Sequence, residues 1–250
     1  MDGLVGFFAP EPVLWRSGDK GFSVLGPEHL AMLGCLTLTG VLLARRYMRQ
    51  DARGRRRQLV AMCAVPVALL VSRDLQDVAA GVCWPQFWPL HICNMCEFLG
   101  LAWAITGWCP LADVYYPWAT VGAIGALLFP GWAYYCPIIS YASLGGFLEH
   151  ALMATTCWCM MVGGEYVPER RRLWLPGVAA VAGGLVFRRA NPVMGTNFFF
   201  VSEPSAGSPM VWLADVFGDP GWLVAYLAAA VAVWCGFVAL GRHFSPRVEG

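Results

Sequence analysis

Seven long apolar stretches, at about 27–48, 58–82, 88–109, 113–130, 138–162, 173–191 and 220–241, run through this 250-residue chain. A helix needs about 20 residues to cross the hydrocarbon of a bilayer. Inside that hydrocarbon every backbone N–H and C=O must find its partner within the protein, which leaves helices or a closed barrel. Continuous apolar runs exclude the alternating pattern of a barrel, so the chain is expected to be an all-α, multi-pass membrane helix bundle. Composition agrees, because only 13% of the residues are charged against roughly 25% in soluble domains. The second stretch carries the weakest signal, since "SRDLQD" at 72–77 interrupts it.

Arginine placement sets the expected orientation. Seven arginines follow the first span in "RRYMRQDARGRRRQ", Arg170, Arg171 and Arg172 follow the fifth, and Arg242 and Arg247 follow the seventh. Twelve of the seventeen Lys and Arg thus fall on one side of a seven-span chain. The positive-inside rule makes that side cytoplasmic and leaves the N-terminus outside. Arg16, Lys20, Arg188 and Arg189 fall on the far side, and Arg73 falls within a span. The first 26 residues hold prolines and charges before any long apolar run, so no cleavable leader is expected. A net charge of +1 indicates no nucleic-acid surface. No internal repeat or second domain is evident, and the chain reads as one integral membrane domain over 1–250.

The polar residues that interrupt the spans gather at their far-side ends. Arg73, Asp74, Gln76 and Asp77 close the second span, and His91, Cys93, Asn94 and Glu97 open the third. Glu149 and His150 lie in the fifth, and Asn191, Thr196 and Asn197 follow the sixth. Ionisable groups at depth cost about 2.5–3.5 kcal/mol on insertion scales and therefore face a bundle interior or a wet cavity. Four spans contributing to one layer predict a shared site.

Within it, Pro89 is the expected first residue of the third helix. Cys93 would then lie about one turn in, near 6 Å of helical rise, where the helix dipole modestly favours a thiolate. Cys93, Glu97 and Gly100 share one helical face. His150 lies about nine residues into a fifth helix that starts near Tyr141, or about 13 Å. His91, two residues from Cys93, projects from another face and is the weaker partner for it. Arg73 with Asp74 and Asp77 is most simply a charge-neutral structural network. His91, Cys93 and Cys96 form an HxCxxC without an evident fourth ligand, so no metal and no cofactor is expected. The remaining cysteines, Cys157 and Cys159 among them, read as buried packing. Cys83 and Cys136 flank far-side loops and would be placed to pair in an oxidising compartment. Prolines and glycines break the long connection 192–219, where "NFFFV" suggests a segment in the interface or re-entering the bilayer.

At "PLHICN", residues 89–94, the chain resembles the bacterial YwaF-like integral membrane proteins, which carry a PLHLCN-type segment; Asn191 with "MGTNF" at 194–198 resembles their later signature. It is also similar to the related vertebrate transmembrane acyltransferase that builds ether phospholipids. That likeness lies in the H-x-C of His91 and Cys93, in "GALLFP" at 125–130, and in "EHALM" through "GGEYVPE" at 149–169. The resemblance implies that Cys93 is the acyl-accepting nucleophile and His150 its base. Ala151 follows His150 as in the vertebrate form, and Phe198 stands where the bacterial form has Tyr. Asn94 and Asn197 are candidates to orient His150 or hold an oxyanion.

Three functions stay open on the residues. The leading one is acyl transfer between membrane phospholipids through Cys93 and His150, with His91, Asn94, Glu97, Arg73, Asp74, Asn191, Thr196 and Asn197 in support. The second is a solute or proton-coupled transporter built on Arg73, Asp74, Asp77 and Glu97 with the broken "NPVMGTN" segment. The third is a lipid hydrolase on the same Cys–His pair.

Overall fold

The computed structural model describes residues 6–16, 21–81, 85, 88–133 and 135–244. Among them there is no strand, and seven long helices carry the chain. They are α1 Pro27–Met48, α2 Ala52–Ala79, α3 Ile92–Thr106, α4 Cys109–Leu128, α5 Tyr141–Val162, α6 Trp174–Met194 and α7 Gly221–Phe244. Short helices at Glu11–Arg16 and Pro209–Phe217 lie outside this series. The all-α membrane bundle expected from the sequence is borne out: α1, α2 and α7 are each long and apolar enough to cross a bilayer.

Several boundaries differ from expectation, for local reasons. The arginine-rich stretch read as a loop is mostly helix. The side chain of Asp51 accepts the Gly54 N–H at 2.8 Å and starts α2 at Ala52 rather than 58, and arginine is a good helix former. The turn left between α1 and α2 is three residues long. "SRDLQD" does not break α2, which runs through Pro66 and the charges to Ala79. In contrast α3 is shorter than expected. Leu90 N–H bonds to the Trp88 carbonyl at 2.7 Å, which holds 88–90 in a turn, and the helix begins after an N-cap at His91 instead of at Pro89.

The basic clusters come to one end of the bundle. There Arg55 donates to Gly163 O at the C-cap of α5 (3.3 Å), and Arg56 donates to Trp103 O in the last turn of α3 (3.4 Å). Cations at helix C-termini satisfy orphan carbonyls and complement the helix dipole. Asp113, buried in the first turns of α4, accepts from Tyr166 (2.9 Å) and Arg172 (3.0 Å) of the α5–α6 connection. Burial and the Asp113 carboxylate raise the Tyr166 phenol above its ordinary range, so its hydroxyl stays a donor. Sequence reading had not picked out Asp113; a lone carboxylate near a span end carries no partner signal. Trp158 of α5 meets Phe244 of α7 at the same end, ring centroids 5.8 Å apart. Arg247 lies outside the described residues.

The helix α1 is pinned at its two ends. Leu25 N–H donates to His29 Nδ1 (2.9 Å), which leaves Nε2–H to donate to Leu127 O (2.8 Å), and His29 is fully buried. Tyr47, at the other end, is also fully buried. Between them most of α1 faces outward.

Candidate functional site

Arg73 is the centre of the buried polar layer. Its Nη2 donates to Glu149 Oε2 of α5 at 2.8 Å, and its Nη1 lies 3.7 Å from Glu11 Oε1 of the short N-terminal helix. The side chain of Glu149 is 2% exposed and that of Arg73 13%. The expected Arg73–Asp74–Asp77 network is therefore corrected. Neighbours one and four residues along one helix are outcompeted by carboxylates that packing brings in from other elements. Asp74 remains within electrostatic range of Arg73, and Asp77 is buried nearby. Glu11 had not been anticipated. Only "APEPV", a helix start inside the N-terminal segment, marks it in the sequence. Burial pushes its carboxyl above the usual carboxylate range, and the Arg73 guanidinium acts against that.

Glu97 of α3 joins the same cluster. It is 2% exposed, lies within electrostatic range of Glu149, Arg73 and Asp74, and its Oε2 has no hydrogen-bond partner. Glu149 Oε1 and Arg73 Nε are likewise unpartnered. Gly100, one turn further, lets α3 close on α4, because a Cβ there would sit 2.7 Å from the Tyr115 ring.

Cys93 is partly buried at the second residue of α3 and looks across to α4, where a Cβ on Gly122 would lie 3.2 Å from its sulfur. The later start of α3 reduces its depth in the helix to about 2 Å of rise, against about 13 Å for His150 in α5. The thiol lies within electrostatic range of Glu149, the residue before His150. Glu97 is within range as well. A thiol is a weak nucleophile until its proton is removed, so activation of Cys93 falls to a base acting during attack.

His150 is buried, with Nδ1 2.7 Å from Gly146 O and its ring stacked on Trp132, centroids 5.5 Å apart. The stack depends on glycine, because a Cβ at Gly146 would come within 2.4 Å of the Trp132 ring. A carbonyl can only accept, so Nδ1 carries the proton and the neutral ring presents its lone pair at Nε2. Arg73 lies within electrostatic range of this imidazole. Thus α2, α3 and α5 bring Arg73, Glu97, Cys93, Glu149 and His150 into one connected neighbourhood.

His91, Asn191, Thr196 and Asn197 are used differently. The His91 ring packs against Phe198 and Phe200, centroids 5.2 and 4.9 Å away. Of the two placements expected for "NFFFV", in the interface or re-entering the bilayer, the inward one fits Phe198 and Phe199, which are buried and pack on Phe187 inside the bundle. Asn191 makes this inward turn possible. Its amide donates to Phe198 O (3.0 Å) and Ser202 Oγ (3.1 Å) and accepts from Phe198 N and Thr196 Oγ1 (both 3.0 Å). Asn197 closes the loop beyond, donating to Glu203 O (2.9 Å) and accepting the Ser202 and Glu203 N–H groups (both 3.2 Å). Asn94 opens α3 beside Cys93 and is partly buried. Cys96 is fully buried in the core. Cys157 and Cys159 are buried too. Cys83 lies outside the described residues, and so does its pairing with Cys136.

Asn191→Ala should destabilise the fold by about 2–4 kcal/mol, since it strips the partners from two buried backbone groups of Phe198. Thermal unfolding in detergent measures this. An unchanged midpoint would show that the Phe198–Phe200 turn is held by packing alone.

No curated protein and no solved structure matches this chain. The profile of the TMEM164 family does match, over residues 24–238, which takes in all seven long helices up to the last turns of α7 and every polar residue of the buried layer except Glu11. Among the described residues an all-helical bundle with three bilayer-length apolar helices agrees with a transmembrane family. The chain belongs to the TMEM164 family.

Proposed function

We propose that this protein is a membrane acyltransferase that moves acyl chains between phospholipids through a thioester at Cys93, with His150 as the base. The observation that carries the reading is the fixed His150 tautomer, one residue from a carboxyl within electrostatic range of the Cys93 thiol. In the first half-reaction His150 Nε2 takes the thiol proton as Sγ attacks the donor ester carbonyl. The tetrahedral intermediate collapses, the C–O bond breaks, and the lysophospholipid leaves with the proton returned from His150. In the second half the acceptor hydroxyl attacks the thioester, gives its proton to His150, and the thiol is restored as the new ester departs. Water in place of the acceptor would make the same pair a hydrolase. The likeness of PLHICN and MGTNF to the corresponding segments of the bacterial YwaF-like proteins supports extending this kinship to them. Incubation of purified protein with an alkyne-tagged phospholipid should leave hydroxylamine-sensitive label, formed about 10²-fold or more slowly in His150→Ala. Equal labelling rates would remove His150 as base.

A specific observation favours a second reading, a proton-coupled transporter: Glu97 Oε2 and Glu149 Oε1 are buried without partners. Normal folding with no lipid turnover, together with pH-dependent uptake lost in Glu97→Gln, would decide for it.

Both readings share one orientation. The arginine-rich end lies in the cytoplasm with the C-terminus, and the N-terminus lies on the far side. Accessibility labelling of single cysteines placed at 54 and 171 should report the cytoplasm, and tags that put both chain ends on one side would overturn it.

A further inference from the structure

A groove of about 710 Å³ runs between α1 and α5, away from the Cys93 layer. Gly40, Ala44, Ala151 and Ala154 line it; α1 and α5 meet at its floor, where a Cβ on Gly40 would lie 2.8 Å from Thr155 Oγ1, and the small side chains leave the space above that contact open. Thr155, also in its wall, donates its hydroxyl to Ala151 O at 2.7 Å, which satisfies that polar group within the apolar wall. The end anchors His29 and Tyr47 hold α1 against the bundle above and below the gap. On the open side α1 exposes Leu38, Val41 and Leu42, which places the mouth toward lipid. The walls reach from Leu33 to Met48, roughly 22 Å along the helix, enough for the roughly 15 Å hydrocarbon depth of one leaflet.

The two ends are not alike. Arg45 and Arg49 line the groove where it reaches the arginine-rich end, and Trp158 lines it at the same level. Both arginines are exposed, and among the described residues neither has a carboxylate in salt-bridge range. An interfacial tryptophan beside cations is the arrangement found at headgroup depth. Arg46, between them in sequence, does not line the groove.

We propose that this groove binds an anionic phospholipid of the leaflet at the arginine-rich end, its phosphate held by Arg45 and Arg49 and one acyl chain lying between α1 and α5. Charge complementarity selects this occupant: a second protein helix would fill the apolar walls but would leave the two arginines unanswered. The site is separate from Cys93 and stands whether or not the thiol is catalytic.

The test reconstitutes the full-length protein in phosphatidylcholine vesicles doped with phosphatidylglycerol that carries a diazirine near the end of one acyl chain. Irradiation and peptide mapping should place crosslinks on the groove walls of α1 and α5. Arg45→Gln with Arg49→Gln should lower them about tenfold or more, and Arg46→Gln should not. Val41→Trp, at an exposed position in the groove wall that leaves the core untouched, should remove them independently. Cys93→Ala should change nothing, which separates this result from the acyltransfer reading. Crosslinks spread evenly around the bundle, an equal loss with Arg46→Gln, equal capture of diazirine phosphatidylcholine, or chain-to-chain products at the groove would each overturn the proposal.

Discussion

Cys93→Ala protein should carry no hydroxylamine-sensitive label after incubation with a tagged phospholipid, and phospholipid turnover should fall to background. A thioester has the required lability, and Cys93 is the thiol of the buried polar layer that is not sealed in the core, as Cys96 is. The fold should stay intact, because Cys93 is only partly buried and Ala keeps its Cβ, giving up only the sulfur that faces Gly122. Unfolding midpoints of the two proteins should therefore agree while their labelling does not. Turnover that persists in Cys93→Ala would defeat the covalent mechanism outright. Label lost with turnover kept would reassign the thiol to a side reaction. The test also separates the two neighbours in α5. His150→Ala should slow acylation about 10²-fold or more, whereas Glu149→Gln keeps the shape of its side chain and should slow it less. The reverse order would make the carboxyl, not the imidazole, the proton acceptor.

How much of this could be read from the chain depends on the range of the interaction concerned. Pro27–Met48 appears at its expected bounds because a glycine–proline pair starts it and arginines finish it, all local signals. The polar layer was also legible, since charges cannot sit in apolar spans without a common interior. Its wiring was not. Arg73 takes Glu149 from 76 residues away and Glu11 from the N-terminal segment, and nothing in the local sequence ranks these above Asp74. The start of α3 was misplaced because Pro89 is a favoured opening residue in general, while here the Trp88–Leu90 turn holds the chain back until His91. "NFFFV" shows the same limit from the other side. Its composition suits an interface, but Asn191, seven residues before Phe198, supplies the hydrogen bonds that let its backbone go inside. The GTN-like signature thus has a structural reading in this chain as well as the supporting one first assigned to it.

Arg73→Ala should be the most destabilising single change in the bundle, by about 3–5 kcal/mol, because it leaves the 2%-exposed Glu149 side chain buried without its cation. For a chain of this size that is a fall of roughly 6–20 °C in the unfolding midpoint. Pairing the change with Glu149→Gln should recover much of the loss, since a neutral amide needs no counter-charge. Non-additivity of this kind is what a direct contact predicts, and two independent defects would instead sum. The same cycle bears on function. Were Arg73 only a structural partner for Glu149, the stabilised double variant would keep phospholipid turnover at the rate of the unaltered chain. Were the ion pair instead what holds Glu149 against α3 within range of Cys93, stability would return without activity. The second outcome is the expected one, because α2 supplies the only cation in salt-bridge contact with Glu149 among the described residues. Glu149→Gln alone keeps a side-chain oxygen that can accept from Arg73, so it should retain more turnover than the double variant, in which that contact is gone.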